Sequence, residues 1–224
     1  MSGADLVAAI PCPCGSGKPF PECHGAKEPV KLVMASSSKL KLDLGCGQNV
    51  REGFEGVDNV QGPGVKHQVN LLRYPWPFAD NSVAELNASH FIEHIPAIEV
   101  HQDGSPAPWG EGQDALFRWI DECYRILEPG GWLHLIWPSL QSDRAFQDPT
   151  HRRFIPQATL SYFSKQWRID QKLSHYNIRA DFVGESMFSY DQGLNARVDE
   201  VRNLYFNHYW NGKFDFHAKL KAIK

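Results

Sequence analysis

Residues Lys39–Asp58, KLKLDLGCGQNVREGFEGVD, decide the fold. Leu40, Leu42 and Leu44 alternate with Lys39, Lys41 and Asp43 at the period of a strand, and a Gly-Cys-Gly turn follows directly. In open α/β sheets, a strand running into a glycine turn is where nucleotide-like ligands bind. Without Cβ atoms, Gly45 and Gly47 can take positive φ and let backbone N–H groups close on a ligand, with Cys46 held between them. Asp43 offers a carboxylate at the strand end to a cationic or amine-bearing ligand. Phe54, Gly56 and Val57 form a second short apolar run, and Asp58 ends it with a carboxylate suited to ribose hydroxyls. The pattern departs from the dinucleotide fingerprint. Val50 stands where a third glycine would be, and Asp58 follows Gly47 too soon for a crossover helix of usual length. A pyrophosphate would want that helix N-terminus, whereas a ligand without phosphates would not.

LDLGCG at 42–47, with Asp58 beyond it, resembles the first motif of the class I S-adenosylmethionine (SAM) dependent methyltransferases, an apolar run followed by D-x-G-x-G. Two later stretches resemble the same family in order and spacing. PWPFADNSVAELNASHFIEHI at 75–95 is similar to its small-molecule-type members, and RILEPGGWLHLIWP at 125–138 to its post-helix R-x-L-x-P-G-G motif. The resemblance implies an α/β, Rossmann-like fold whose central, mostly parallel seven-stranded sheet has an antiparallel last strand. It implies SAM as cofactor, held by Asp43, Gly45, Cys46 and Gly47, with Asp58 and Asn59 at the ribose. VKHQVNLL at 65–72 reads as a third strand carrying Asn70 at its end. By the same resemblance Asn70 contacts the adenine, in a place often held by Asp, with Leu71 packed on the ring. Ser89 and His90 would end the fourth strand, facing cofactor and substrate.

The domain then spans 39–224. Leu116, Trp119, Ile120, Cys123, Tyr124 and Leu127 give the stripe of a helix over Gln113–Leu127, which Glu128-Pro129-Gly130-Gly131 ends. Trp132–Pro138 reads as a buried strand, and Cys46 and Cys123 as core or cofactor-lining thiols. Residues 101–112 read as a loop acting as a mobile flap. Phe182–Tyr190 is expected as a strand, 196–210 as a helix and 213–222 as the last strand. In that strand Phe214, Phe216, Ala218, Leu220 and Ala222 alternate with polar residues, fitting an antiparallel strand near a sheet edge.

The substrate side is expected in an insertion at 139–171, because loops beyond the carboxyl ends of parallel strands line the crevice. Within its QDPTHRRFI run, Asp148 and His151 read either as a carboxylate orienting an imidazole base, or as a helix-turn cap followed by Pro149. Arg152 and Arg153 suit an anionic substrate or a solvated face. HFIEH at 90–94 matches the H-x-x-E-H of zinc peptidases, but it begins at a strand end and no third ligand stands on a following helix. His94 is left as a polar residue at the site mouth or a substrate contact. Methyl transfer from a sulfonium needs a base only if the acceptor must lose a proton, so no catalytic residue is assigned.

A separate element precedes the domain. Residues 11–25, PCPCGSGKPFPECHG, set Cys12, Cys14, Cys23 and His24 within a segment too rich in proline and glycine for helix or long strand. Three thiols and an imidazole suit a tetrahedral, structural Zn²⁺, which a short coreless segment needs to hold one shape. A reducible tail without metal is the alternative. GSGK fails as a phosphate loop, since Pro19 follows Lys18. The run resembles the SEC-C motif, a zinc-binding element found appended to unrelated proteins, and as a binding element it implies a protein partner. The knot is placed at 1–27 and a polar linker at 28–38.

Overall composition excludes other classes. The 224 residues suffice for one α/β domain and an appendage, and the net charge of −3 gives no general footprint for nucleic acid. No apolar run approaches 18 residues, so no membrane span is expected. The opening MSGADLVAAI carries no Lys or Arg, which makes a poor secretory signal and leaves the cytoplasm as the expected compartment. No Asn/Asp/Ser-Pro-Pro-Tyr/Phe run lies near His90 and the only Pro-Cys pairs are in the knot, which argues against the two DNA-base chemistries. A small molecule, sugar or lipid head group is the expected acceptor. A non-catalytic module that binds SAM or docks a partner through the knot is the other reading.

Overall fold

The computed structural model describes residues 39–224. Cys12, Cys14, Cys23 and His24, expected as zinc ligands, and the linker lie outside the described residues. In chain order the elements are β1 (Leu40–Leu44), β2 (Glu55–Asp58), β3 (Val65–Gln68), β4 (Val83–Ser89), a short ribbon of β5 (Glu99–Val100) and β6 (Gln113–Asp114), and α1 (Ala115–Ile126). There follow β7 (Leu127–Pro138), α2 (Lys165–Asp170), β8 (Phe182–Phe188), α3 (Asp199–His208) and β9 (Asp215–Ala222). Seven strands form one sheet in the order β3-β2-β1-β4-β7-β9-β8. The β1–β2, β1–β4, β2–β3 and β4–β7 pairs are parallel, and β9 runs antiparallel to β7 and β8. The mostly parallel sheet with a reversed last strand is therefore present, and β9 sits one strand in from the edge.

Packing on one face explains the helix. Asp114 caps α1 by accepting a hydrogen bond from the Leu116 N–H, and Leu116, Trp119, Ile120 and Cys123 are buried. They meet Leu42, Leu44, Leu86, Leu133, Leu135 and Trp137 from the sheet, all fully buried, each side chain contributing roughly 1.5–3 kcal/mol of hydrophobic stabilisation. Glu122, also on α1, is 1% exposed. Its carboxylate accepts from the Trp76 N–H at 2.7 Å and pairs with Arg118 and Arg125, tying the 74–78 loop to the helix.

The opposite face is polar. The connections at 45–54, 59–64 and 69–82 contain no helix, so they give that face none of the cover that crossover helices supply. Its side chains form cross-strand rows set by register: Asp43, Asn87, His134, Lys219 and Glu185 in one, Ser89, Ile136, His217 and Met187 in the next. β7 consequently alternates, with Leu133, Leu135 and Trp137 buried and His134 and Ile136 only half-buried, rather than being apolar on both sides.

Several boundaries move for local reasons. β3 stops at Gln68 because the Asn70 carboxamide accepts the Leu72 N–H at 2.9 Å and starts a turn. β7 begins at Leu127, directly after α1, and Glu128-Pro129-Gly130-Gly131 loops out of the ladder: between Leu127 and Trp132 the partner advances only from Val83 to Glu85. The 101–112 loop, expected as a mobile flap, is laced to the ribbon, since Glu99 accepts the N–H groups of Gly110 and Gly112, and is braced within itself, since Asp103 accepts from the N–H and the hydroxyl of Ser105. No helix among the described residues is long and apolar enough to cross a membrane.

Candidate functional site

The glycine turn folds as its residues require. Gly45 and Gly47 have φ of 67° and 54°. A Cβ on Gly45 would lie 2.2 Å from Cδ2 of Phe91, so the site admits only glycine there, whereas a Cβ on Gly47 would meet nothing within 4 Å. The Gly45 N–H donates to the Val57 carbonyl at 2.8 Å, and Asp58 latches the turn by accepting from the Gly47 N–H at 2.9 Å and the Val60 N–H at 3.0 Å. Each Asp58 oxygen keeps a further lone pair for a ligand hydroxyl.

Two clefts open from this turn, both touching Gly45. The first, about 340 Å³, is lined by Asp58, Asn59, Asn70, Leu71, His90 and His94, with Val69, Leu72, Phe91 and Ile95 as apolar walls. The second, about 620 Å³, lies over the polar face and is lined by Asp43, Cys46, Ser89, Asn49, Arg51, Asn87, His134 and residues of β8 and β9. The predicted cofactor residues thus divide between the clefts, and Gly47 holds the turn without lining either.

Asp43, only 3% exposed, accepts from the Asn87 carboxamide at 2.6 Å and from the Arg51 N–H at 2.7 Å. The Arg51 guanidinium in turn donates to Asn87 at 2.8 Å and lies over the Phe54 ring. Burial and the carboxylates of Asp43 and Asp58 push the Cys46 thiol up from its ordinary value, which keeps it protonated. His90 directly follows β4 in the left-handed region, φ 53°, a conformation that functional positions hold at a cost. Its Nδ1 lies 3.1 Å from Glu93, whose carboxylate raises the imidazole above its ordinary value.

The 148–153 run comes back over His94. The Asp148 carboxylate accepts the Thr150 N–H and O–H, both at 2.7 Å, in a non-helical turn. This is the capped turn read for Asp148, with Pro149 at its first position and the His151 N–H donating to the Asp148 carbonyl at 3.2 Å, although no helix continues from it. The His151 ring donates to the Ala145 carbonyl, so the Asp148–His151 dyad does not form. His94 and His151 face each other with ring centroids 4.8 Å apart. Arg153 is structural, bonded to the carbonyls of Ile95 and Pro96 and to Asp114. Sequence reasoning missed Arg51, Asn87 and the role of Glu93. Period-two reading of Glu85, Asn87 and Ser89 would have flagged Asn87, but nothing local flags Arg51.

Residues 10–26 match the SEC-C motif, a span that includes Cys12, Cys14, Cys23 and His24. No curated protein matches the chain in sequence. Among solved structures, a SAM-dependent methyltransferase from Archaeoglobus fulgidus superposes with a TM-score of 0.50 at 19% identity, over 83% of this chain and 86% of that one. The domain has the Rossmann-like methyltransferase fold. A Haloferax volcanii methyltransferase in complex with the Trm112 methyltransferase activator (TM-score 0.47, 12% identity, 85% of each chain) is also similar. So is an S-adenosylmethionine-dependent methyltransferase from Listeria monocytogenes (0.47, 12%, 83% of this chain and 90% of that one). In this methyltransferase fold the strand order reverses between β1 and β4, and both clefts open there.

Proposed function

We propose that the domain transfers a methyl group from SAM to an acceptor of the small-molecule, sugar or lipid head-group class. The observation that carries this reading is the pair of clefts meeting at Gly45, at the switch point of the sheet. The smaller cleft falls within the roughly 300–1,000 Å³ of ligand pockets. Its apolar walls suit an adenine, Asn70 suits the ring nitrogens, and Asp58 with Asn59 suits the ribose. The methionyl end then passes Gly45 toward Asp43, Cys46 and Ser89, where the Arg51 guanidinium offers a cation for its carboxylate. SAM supplies an activated methyl on sulfur, so the chain's work is to bind it, exclude water and align the acceptor behind it. The acceptor side is formed by His90, His94, Asp148 and His151.

The knot at 1–27 holds a structural Zn²⁺ through Cys12, Cys14, Cys23 and His24, a donor set that fills four positions and leaves none for chemistry. It serves as a docking element for a protein partner. Isothermal titration with SAM and with S-adenosylhomocysteine tests the cofactor reading. Binding in the micromolar range is expected, and no heat at millimolar ligand would remove it.

A further inference from the structure

We infer that Glu93, His94 and His151 form a second metal site, for a divalent transition metal of the zinc type, separate from the cysteine knot. One ligand atom from each of the three lies within 4.8 Å of the others. Two imidazoles and a carboxylate are the donor set that zinc, iron and cobalt take, and three protein ligands leave positions open for water or an oxygen-bearing ligand.

The hydrogen bonds around the three residues prepare each of them for a cation. Thr150 gives its hydroxyl proton to Asp148, so its oxygen can only accept from His94 Nδ1 at 3.1 Å. That fixes the proton of His94 on Nδ1 and leaves the Nε2 lone pair free. His151 Nδ1 faces the Ala145 carbonyl at 2.9 Å, an acceptor, which fixes the same tautomer and frees its Nε2. Glu93 Oε1 is held by His90, while Oε2 is buried and has no hydrogen-bond partner among the described residues. Glu93 is 1% exposed, and an unpaired carboxylate oxygen buried this way is costly unless something cationic meets it. Backbone bonds set the geometry: the Glu93 carbonyl accepts the N–H groups of Arg152 and Arg153, pinning His151 opposite Glu93 and His94. Metal–ligand bonds near 2.1 Å imply ligand atoms about 3.4 Å apart, so the three groups would draw in by up to about 1.4 Å on binding.

The site borders the smaller cleft, whose wall includes His90 and His94. An acceptor oxygen on the open metal positions would therefore sit at the cleft mouth, a placement that rests on the cofactor reading, whereas metal binding itself does not.

The test is equilibrium dialysis of the chelator-stripped full chain against Zn²⁺ alone, with metal counted by atomic emission. Wild type is compared with His94→Ala, His151→Ala and Cys12→Ser. Each histidine variant should lose one equivalent, with affinity for it falling at least 100-fold. Cys12→Ser should lose a different equivalent, so that Cys12→Ser/His151→Ala loses both. Co²⁺ spectra separate the two, because only the knot gives thiolate charge-transfer bands. Circular dichroism confirms folding, and Thr150→Val, which removes the hydroxyl shared by His94 and Asp148 but neither ring, should weaken the site several-fold if an alanine variant unfolds. Equal equivalents and affinity in wild type and both histidine variants, or saturation only at millimolar Zn²⁺, would overturn the assignment.

Discussion

Replacing Gly45 by alanine separates the two physical demands on the glycine turn. A positive φ costs a residue with a Cβ about 1–2 kcal/mol, and both Gly45 and Gly47 carry that strain on substitution. Only Gly45 adds a collision, since its Cβ would stand 2.2 Å from the Phe91 ring, whereas the Gly47 position is open. Phe91 cannot simply swing away, because it packs against Trp119, which is fully buried, with centroids 5.7 Å apart. Overpacking of this kind costs about 1–3 kcal/mol. Gly47→Ala should therefore destabilise by about 1 kcal/mol and Gly45→Ala by about 2–4 kcal/mol. In urea, with m of about 2 kcal/mol/M for a domain of this size, the midpoints should fall by about 0.5 M and 1–2 M. Phe91→Ala in the Gly45→Ala background should return at least about 1 kcal/mol as coupling energy. Equal midpoints for the two alanine variants, with no coupling to Phe91, would refute the steric argument.

Other consequences are as direct. Asp58→Ala should weaken SAM binding roughly 10–100-fold, the worth of one or two hydrogen bonds to a charged group, while Asp58→Asn should lose less; titration calorimetry reads both. Glu122→Leu should cost about 3–5 kcal/mol in urea unfolding, because Arg118, 8% exposed, would be left as an uncompensated buried charge. On the polar face, the hydrogen bond from Lys41 holds the Glu85 carboxyl below its ordinary value. A depressed carboxyl stabilises the fold above its unfolded pKa and loses that contribution as pH falls through the folded value, so Lys41→Met should flatten the urea midpoint between pH 5 and pH 3 relative to wild type, near the ordinary carboxylate pKa of about 4.3.

Much of the fold is legible in the chain because its signals are local. The alternation of Leu40, Leu42 and Leu44 gives β1, the apolar stripe of α1 gives the helix, and the alternation after Phe214 gives β9. The glycine turn and the carboxylates of Asp43 and Asp58 follow from the same local chemistry, and the motif at 10–26 is readable with no fold at all.

What sequence could not decide depends on residues brought together across the chain. The polar rows from Asp43 to Glu185 exist only once strand order and register are fixed, and the lack of crossover helices on their face is a property of three connections taken together. Asp148 and His151 sit three positions apart, yet Asp148 serves His94 through Thr150 and His151 turns to Ala145. Glu93 acquires its meaning in the same way. Its carbonyl draws in the 152–153 backbone, and its carboxylate lies within 4.8 Å of two imidazoles, one adjacent in sequence and one carried in by the returning loop. Local periodicity sets which way a side chain points along its own strand or helix, but partnership between distant side chains is fixed by packing, and only the folded sheet supplies that.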